Sequence, residues 1–87
     1  SVIIIRVPPL KERLDDVPVL TEHFIGELSQ NMAKKPPEMT EEAMKELQNL
    51  PWTGNIRELR NVIERLVILC DEQIRPEDVK KLSQPLE

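Results

Sequence analysis

Prolines divide this chain into segments, and within most segments apolar residues recur every three or four positions. Eight of the 87 residues are proline, and the pairs Pro8-Pro9 and Pro36-Pro37 stop any regular element that reaches them, because proline lacks a backbone N–H. Apolar side chains at spacings of three and four share one side of an α-helix. The pattern therefore predicts short amphipathic helices joined by brief turns.

Four helices are predicted after the first proline pair. The first begins at Asp15-Asp16-Val17-Pro18, since an Asp before an early proline favours a helix start, and it ends near Lys34-Lys35, whose charges suit a helix C-terminus. Thr40 caps the second, Asn55 begins the third with Glu58 in a capping-box position, and Arg75-Pro76 opens a short fourth. The expected inward-facing residues are Val17, Leu20, Phe24, Ile25, Leu28, Met32, Ala43, Leu47, Leu50, Ile56, Leu59, Val62, Ile63, Leu66, Val67, Leu69, Cys70, Val79 and Leu82.

The residues before Pro8 have a different character. Residues 2–7 form a β-branched run without alternation, which is typical of a strand buried on both faces of a parallel sheet. No second strand of this quality is evident, so the run is either a strand separated from its sheet or an extended arm lying on the helices. The predicted fold is all-α, a small bundle of three or four helices over residues 14–87, preceded by a strand and connection over residues 1–13.

Composition excludes several kinds of function. The formal net charge is −4 and the only aromatic residues are Phe24 and Trp52, which argues against a base-stacking platform and against a free-standing DNA-binding module. The single Cys70 and the single His23 provide neither a disulfide nor a metal site, so Cys70 is expected in the core and His23 at or near the surface. We expect a cytoplasmic protein with no membrane segment. Because the first residue is serine, we also expect a piece of a longer chain.

The residues that could carry chemistry lie around the start of the third helix. No complete catalytic set is present, and with only Gly26 and Gly54 there is no glycine-rich phosphate loop. Arg57 falls in the first helical turn, where a positive charge opposes the helix dipole. The arginine and the helix N-terminus together favour an anion such as a polyphosphate. The simpler interpretation is a capped helix whose charged residues form weak pairs in solvent.

Two stretches resemble one known family. The motif Trp52-Thr53-Gly54-Asn55-Ile56-Arg57-Glu58-Leu59-Arg60-Asn61-Val62-Ile63-Glu64-Arg65 is similar to the W-P-G-N-[VI]-R-E-L-x-N-x-[VI]-E-R signature of sigma-54-dependent transcription activators, which are bacterial AAA+ ATPases. Residues 5–18 resemble the family's [IL]-R-L-P-P-L-R-E-R-x-x-D-I stretch at the correct distance. Thr53 and Lys11 replace the family's usual proline and arginine, at positions that do not contact phosphate.

The resemblance implies a role for each residue near the motif. Residues 2–7 would be the last strand of the ATPase α/β core, and the helices would form the lid subdomain that follows it. Arg57 would be the sensor II arginine, which reaches the nucleotide phosphates. Ile56 would lie near the adenine, and Asn55 and Gly54 would shape the turn before them.

The resemblance also implies a cofactor and partners. The cofactor would be ATP with magnesium, whose ligands lie upstream in the family, so this piece alone is expected to be no enzyme. The implied partners are the AAA+ core of the same chain, neighbouring subunits of a ring and, through upstream regions, sigma-54 RNA polymerase. DNA would be bound only by other domains.

Two alternatives remain open at this point. The third helix could instead be the recognition helix of a stand-alone DNA-binding module, presenting Arg57, Arg60, Asn61 and Arg65, which are side chains that read base edges. The chain could also be a helical protein-interaction domain without a nucleotide role. The acidic balance of the chain disfavours the first, and the apolar residues 2–7 disfavour the second.

Overall fold

The described part of the chain contains four helices and two very short strands. The structure is a computed structural model, and it describes residues 16–50, 52 and 56–82. The elements are α1 (Val17–Asn31), β1 (Glu38–Met39), α2 (Glu41–Gln48), α3 (Ile56–Leu69), β2 (Gln73–Ile74) and α4 (Pro76–Leu82). The predicted all-α class with four helices is confirmed. The predicted strand at residues 2–7 and the boundary near residue 14 lie outside the described residues.

The four helices form two similar halves, each with the order helix, strand, helix. The strands of the two halves pair in parallel, with Glu38 opposite Gln73 and Met39 opposite Ile74. Helix α1 packs chiefly against α3, and α2 packs chiefly against α4. The sequence pattern did not reveal this strand pair, because two residues are too few to show the alternation that marks a strand.

The core lies between these helix pairs and follows the predicted stripes closely. Its buried apolar members are Val17, Phe24, Ile25, Leu28, Ala43, Leu47, Trp52, Leu59, Val62, Ile63, Leu66, Val67, Cys70, Ile74 and Val79. Predicted members that are only partly buried are Leu20, Met32, Leu50, Ile56 and Leu82. The prediction for Leu69 was wrong, since this residue is 65% exposed. It follows the buried Leu66 by three positions, but at 100° per residue it lies at the edge of the buried face of α3 rather than within it.

Helix α1 ends three residues before the predicted Lys34. The N–H of Ala33 donates to the carbonyl of Gln30 at 3.1 Å, and the N–H of Lys34 donates to the carbonyl of Ser29 at 3.0 Å. This pair of hydrogen bonds is a Schellman motif, and it places Ala33 in the left-handed region with φ at 53°. Glycine usually occupies that position, so the alanine gave no sequence signal that the helix ends there.

The starts of α2 and α4 use the caps that their sequences offer. The hydroxyl of Thr40 accepts a hydrogen bond from the N–H of Ala43 at 3.1 Å, as predicted for the N-cap of α2. At α4 the carboxylate of Asp78 accepts from the N–H of Arg75 at 2.9 Å, which is half of a capping box.

None of the helices in the described ranges combines the length and apolar character that crossing a membrane requires.

Candidate functional site at the tip of α3

Helix α3 presents Arg57 at its first turn. Ile56, the first residue of the helix, is partly buried against the core, whereas Arg57 is exposed. The buried face of α3 begins with Leu59 and continues through Val62 and Ile63. Because that face is fixed against the core, Arg57 stands on the outer side of the helix tip. The other two residues expected here, Asn55 and Gly54, lie outside the described residues.

Trp52, four residues before the start of α3, is buried and hydrogen-bonded. Its side chain is only 4% exposed, and its indole N–H donates to the carbonyl of Leu47 at 3.0 Å. Its own backbone N–H donates to the carbonyl of Leu50 at 2.8 Å. Leu47 belongs to the last turn of α2 and is fully buried. The ring of the tryptophan is therefore anchored to the last turn of α2, whereas its backbone N–H bonds to a residue just beyond the end of that helix.

One turn beyond Arg57, the next arginine of α3 is engaged by two carboxylates. The guanidinium of Arg60 lies 3.4 Å from a carboxylate oxygen of Glu64 and 3.8 Å from one of Glu27 on α1. The other oxygen of Glu27 lies 3.2 Å from Nε2 of His23, whose side chain is 63% exposed, as predicted for a surface histidine. Of these pairs, that of Arg60 with Glu27 connects α3 to α1 along their outer surface. Each is partly exposed and contributes little stability.

The far end of α3 is capped by a lysine from the turn that follows α1. The ammonium group of Lys34 donates to the carbonyl of Val67 at 2.5 Å and to that of Cys70 at 3.4 Å, and it lies 3.5 Å from the carboxylate of Asp71. A positive charge here complements the negative end of the helix dipole. Lys34 was predicted to serve the end of α1, and the structure instead places its charge at the end of α3. No sequence signal could have indicated this contact.

Cys70 closes the core at the same end, as predicted. Its side chain is 8% exposed. Loss of hydration on burial raises the pKa of the Cys70 thiol, and the nearby carboxylate of Asp78 raises it further by charge and by a hydrogen bond. The thiol is thus held in its protonated, unreactive form.

A cleft of about 540 Å³ lies near this end of α3 and is lined largely by acidic residues. The lining includes Glu38, Asp71, Glu72, Glu77 and Asp78. Carboxylates repel phosphate, so this cleft does not suit a nucleotide. Within residues 16–50, 52 and 56–82, no group of three or more acidic, histidine or cysteine side chains is arranged to hold a metal ion.

The four helices, with Arg57 at the start of α3, form a domain of a known class. The chain belongs to the AAA+ ATPase lid domain family, whose profile matches residues 11–85. Among relatives, it is 40% identical over 86 residues to the response regulator protein PilR of Pseudomonas aeruginosa, a match that covers 98% of this chain and 19% of PilR. It is 49% identical over 70 residues to the nitrogen assimilation regulatory protein NtrX of Azorhizobium caulinodans, covering 80% of this chain and 15% of that protein. The resemblance to sigma-54-dependent activators is confirmed.

Solved structures share the fold as well as the sequence. NtrX from Brucella abortus in complex with ATP superposes with a TM-score of 0.76 at 33% identity, over 98% of this chain and 22% of that one. The same protein in complex with ADP gives 0.74 at 38% identity, over 88% and 19% respectively. The chain thus spans between 15% and 22% of the length of these relatives.

Proposed function

We propose that this chain is the lid of the ATPase module of a longer, cytoplasmic bacterial transcription regulator, and that Arg57 binds the nucleotide phosphates and senses their state. The observation that carries the proposal is the position of Arg57, exposed in the first turn of a helix whose inner face is fixed in the core. In that position the guanidinium can reach a ligand outside the lid without loss of packing inside it.

The chemistry of the helix tip suits an anion. The N-terminus of a helix carries unpaired N–H groups and the positive end of the dipole. A guanidinium beside it adds a full charge and a planar set of donors that matches phosphate oxygens. The partly buried Ile56 next to it offers an apolar side chain on which an adenine ring can rest. These residues therefore suit the phosphates and the base of a nucleoside triphosphate, which when bound supplies a transferable phosphoryl group.

The fold allows the lid to respond to the bound nucleotide as a unit. Helix α3 packs along α1, and its far end is capped by Lys34. Attraction between Arg57 and the phosphates therefore moves α3 together with α1, rather than bending the first turn of α3. Loss of a phosphate would change that attraction and rotate the lid, which is a hinge type of switching transition.

The rest of the site lies outside these residues. NtrX of Brucella abortus has been solved with ATP and with ADP, which supports nucleotide binding by a protein that contains this lid. Magnesium ligands, the phosphate-binding loop and contacts with sigma-54 RNA polymerase would come from the ATPase core and neighbouring subunits. The lid alone would accordingly hydrolyse no ATP.

The DNA-binding alternative is not supported by a specific observation. Of its four candidate base-reading side chains, Arg60 is engaged by Glu27 and Glu64. The described residues also contain no exposed aromatic side chain, since Phe24 and Trp52 are both buried.

Steady-state ATP hydrolysis by the full-length regulator tests the proposal. Arg57→Ala should reduce kcat by roughly 100-fold, as removal of one preorganised donor to developing charge does elsewhere. The matched control is Arg65→Ala, the same change on the same helix about 12 Å further along, which should leave kcat within about twofold of wild type. Wild-type kcat in Arg57→Ala would refute the role of Arg57.

A further inference from the structure

We infer that Trp52 is a positioning residue for Arg57, setting where the guanidinium stands relative to the lid. This inference rests on the proposed function of Arg57. It concerns a residue that the sensing role itself does not use, since the buried indole is out of reach of a nucleotide.

The first step concerns how the two helix pairs are connected where α3 begins. Helix α2 packs chiefly against α4, and α3 packs chiefly against α1, so α2 and α3 contact each other only slightly. Between them the chain passes through Trp52, which lies four residues before α3 begins at Ile56. The tryptophan therefore connects the two helix pairs at the point where the sensor helix starts.

The second step is that Trp52 is fixed by the burial of its ring and by the hydrogen bond from its indole to α2. Its ring is buried in the core, its indole N–H donates to the carbonyl of Leu47, and its backbone N–H donates to the carbonyl of Leu50. A buried ring with its polar atom satisfied has one preferred orientation. Trp52 is thus a fixed point of the chain only five residues before Arg57.

The third step concerns the size of the effect. A charged group that is displaced by about 1 Å from its productive position can lose a factor of up to about 100 in rate. Phenylalanine at position 52 would keep an aromatic ring in the core but would lose the N–H that reaches Leu47. The tip of α3 would then be less well fixed while the four helices remain in place. We expect the loss to appear mainly in kcat and to be smaller than the loss caused by removing Arg57 itself.

A double-mutant cycle in the full-length regulator tests this role. Trp52→Phe should lower kcat for ATP hydrolysis by about tenfold in the wild-type background, within the range for a misplaced group. In an Arg57→Ala background the same change should have almost no further effect, because a positioning residue acts only through the residue it positions. Equal reductions in both backgrounds, or wild-type kcat in the single variant Trp52→Phe, would overturn the inference.

A second variant separates positioning from simple loss of stability. Val79→Ala removes buried volume from α4, at a residue that is fully buried and remote in sequence from the tip of α3. Its thermal midpoint should fall at least as far as that of Trp52→Phe, while its kcat below the midpoint stays at the wild-type value. If Val79→Ala lowers kcat as much as Trp52→Phe does, the tryptophan has only a structural role. Wild-type turnover in the single variant Arg57→Ala would refute the proposed function and this inference with it.

Discussion

Replacing Ala33 by glycine should stabilise the domain, although the change removes a methyl group and adds chain flexibility. Ala33 follows the end of α1 with φ at 53°, a conformation in which the Cβ of an L-residue crowds the backbone. Its side chain is exposed, so its removal leaves no cavity. The hydrogen bonds of Ala33 and Lys34 to the end of α1 involve only backbone atoms and persist in the variant.

The expected gain is the difference between two opposing terms. A left-handed conformation costs a residue with a Cβ about 1–2 kcal/mol, and glycine removes that cost. Glycine also gains freedom in the unfolded chain, which lowers stability by about 0.4–1 kcal/mol. The net change in the free energy of unfolding is a gain of about 0.5–1 kcal/mol, or about 4 °C in the melting temperature of a domain this size.

Urea denaturation of the 87-residue chain measures this gain. Far-ultraviolet circular dichroism follows the helices, and fluorescence of Trp52, the only tryptophan, provides a second probe of the same transition. The midpoint should rise with an unchanged slope. The matched control is Ala43→Gly inside α2, which should destabilise by about 1 kcal/mol or more, because that position is helical and buried. If both glycine variants lose similar stability, Ala33 does not adopt the left-handed conformation.

Two further predictions concern Lys34 and Cys70 at the C-terminal end of α3. Lys34→Met should lower the free energy of unfolding by about 1.5 kcal/mol, the low end for hydrogen bonds from a charged donor, because the variant lacks the ammonium group that donates to the carbonyl of Val67. The control is Asp71→Asn, which changes only an exposed partner of Lys34. It should alter the free energy of unfolding by less than about 0.5 kcal/mol in the same urea titration. Burial and Asp78 raise the pKa of the Cys70 thiol in the folded chain above its value in the unfolded chain. The protonated thiol therefore contributes its full stability below the unfolded pKa, and this contribution is lost as the pH rises through the folded pKa. At pH 8 a thiol-specific reagent should therefore modify Cys70 far more slowly in the folded chain than in urea, and equal rates would contradict its burial.

The outline of the site could be predicted because it depends on local rules. The position of Arg57 on the outer side of α3 follows from helical periodicity and from the buried residues that begin with Leu59. The N-cap of α2 at Thr40 and the interior position of Cys70 were predictable for the same reason. Each of these features is determined by residues within a few positions of one another.

The features that escaped prediction depend on distant contacts or on unusual backbone. Lys34 caps a helix more than thirty residues away, and nothing in its neighbourhood indicates that target. Ala33 ends α1 where the pattern offers no glycine, so the helix was predicted to continue to Lys34. The role of Trp52 could not be inferred from the motif alone, because the carbonyl it reaches becomes available only where α2 ends.

A structure of the full-length regulator with a non-hydrolysable ATP analogue measures the central claim most directly. The account predicts that the guanidinium of Arg57 lies within hydrogen-bonding distance of a phosphate oxygen, about 3 Å, with Trp52 still bonded to the carbonyl of Leu47. A nucleotide bound in its site while Arg57 stays far from every phosphate would contradict the account.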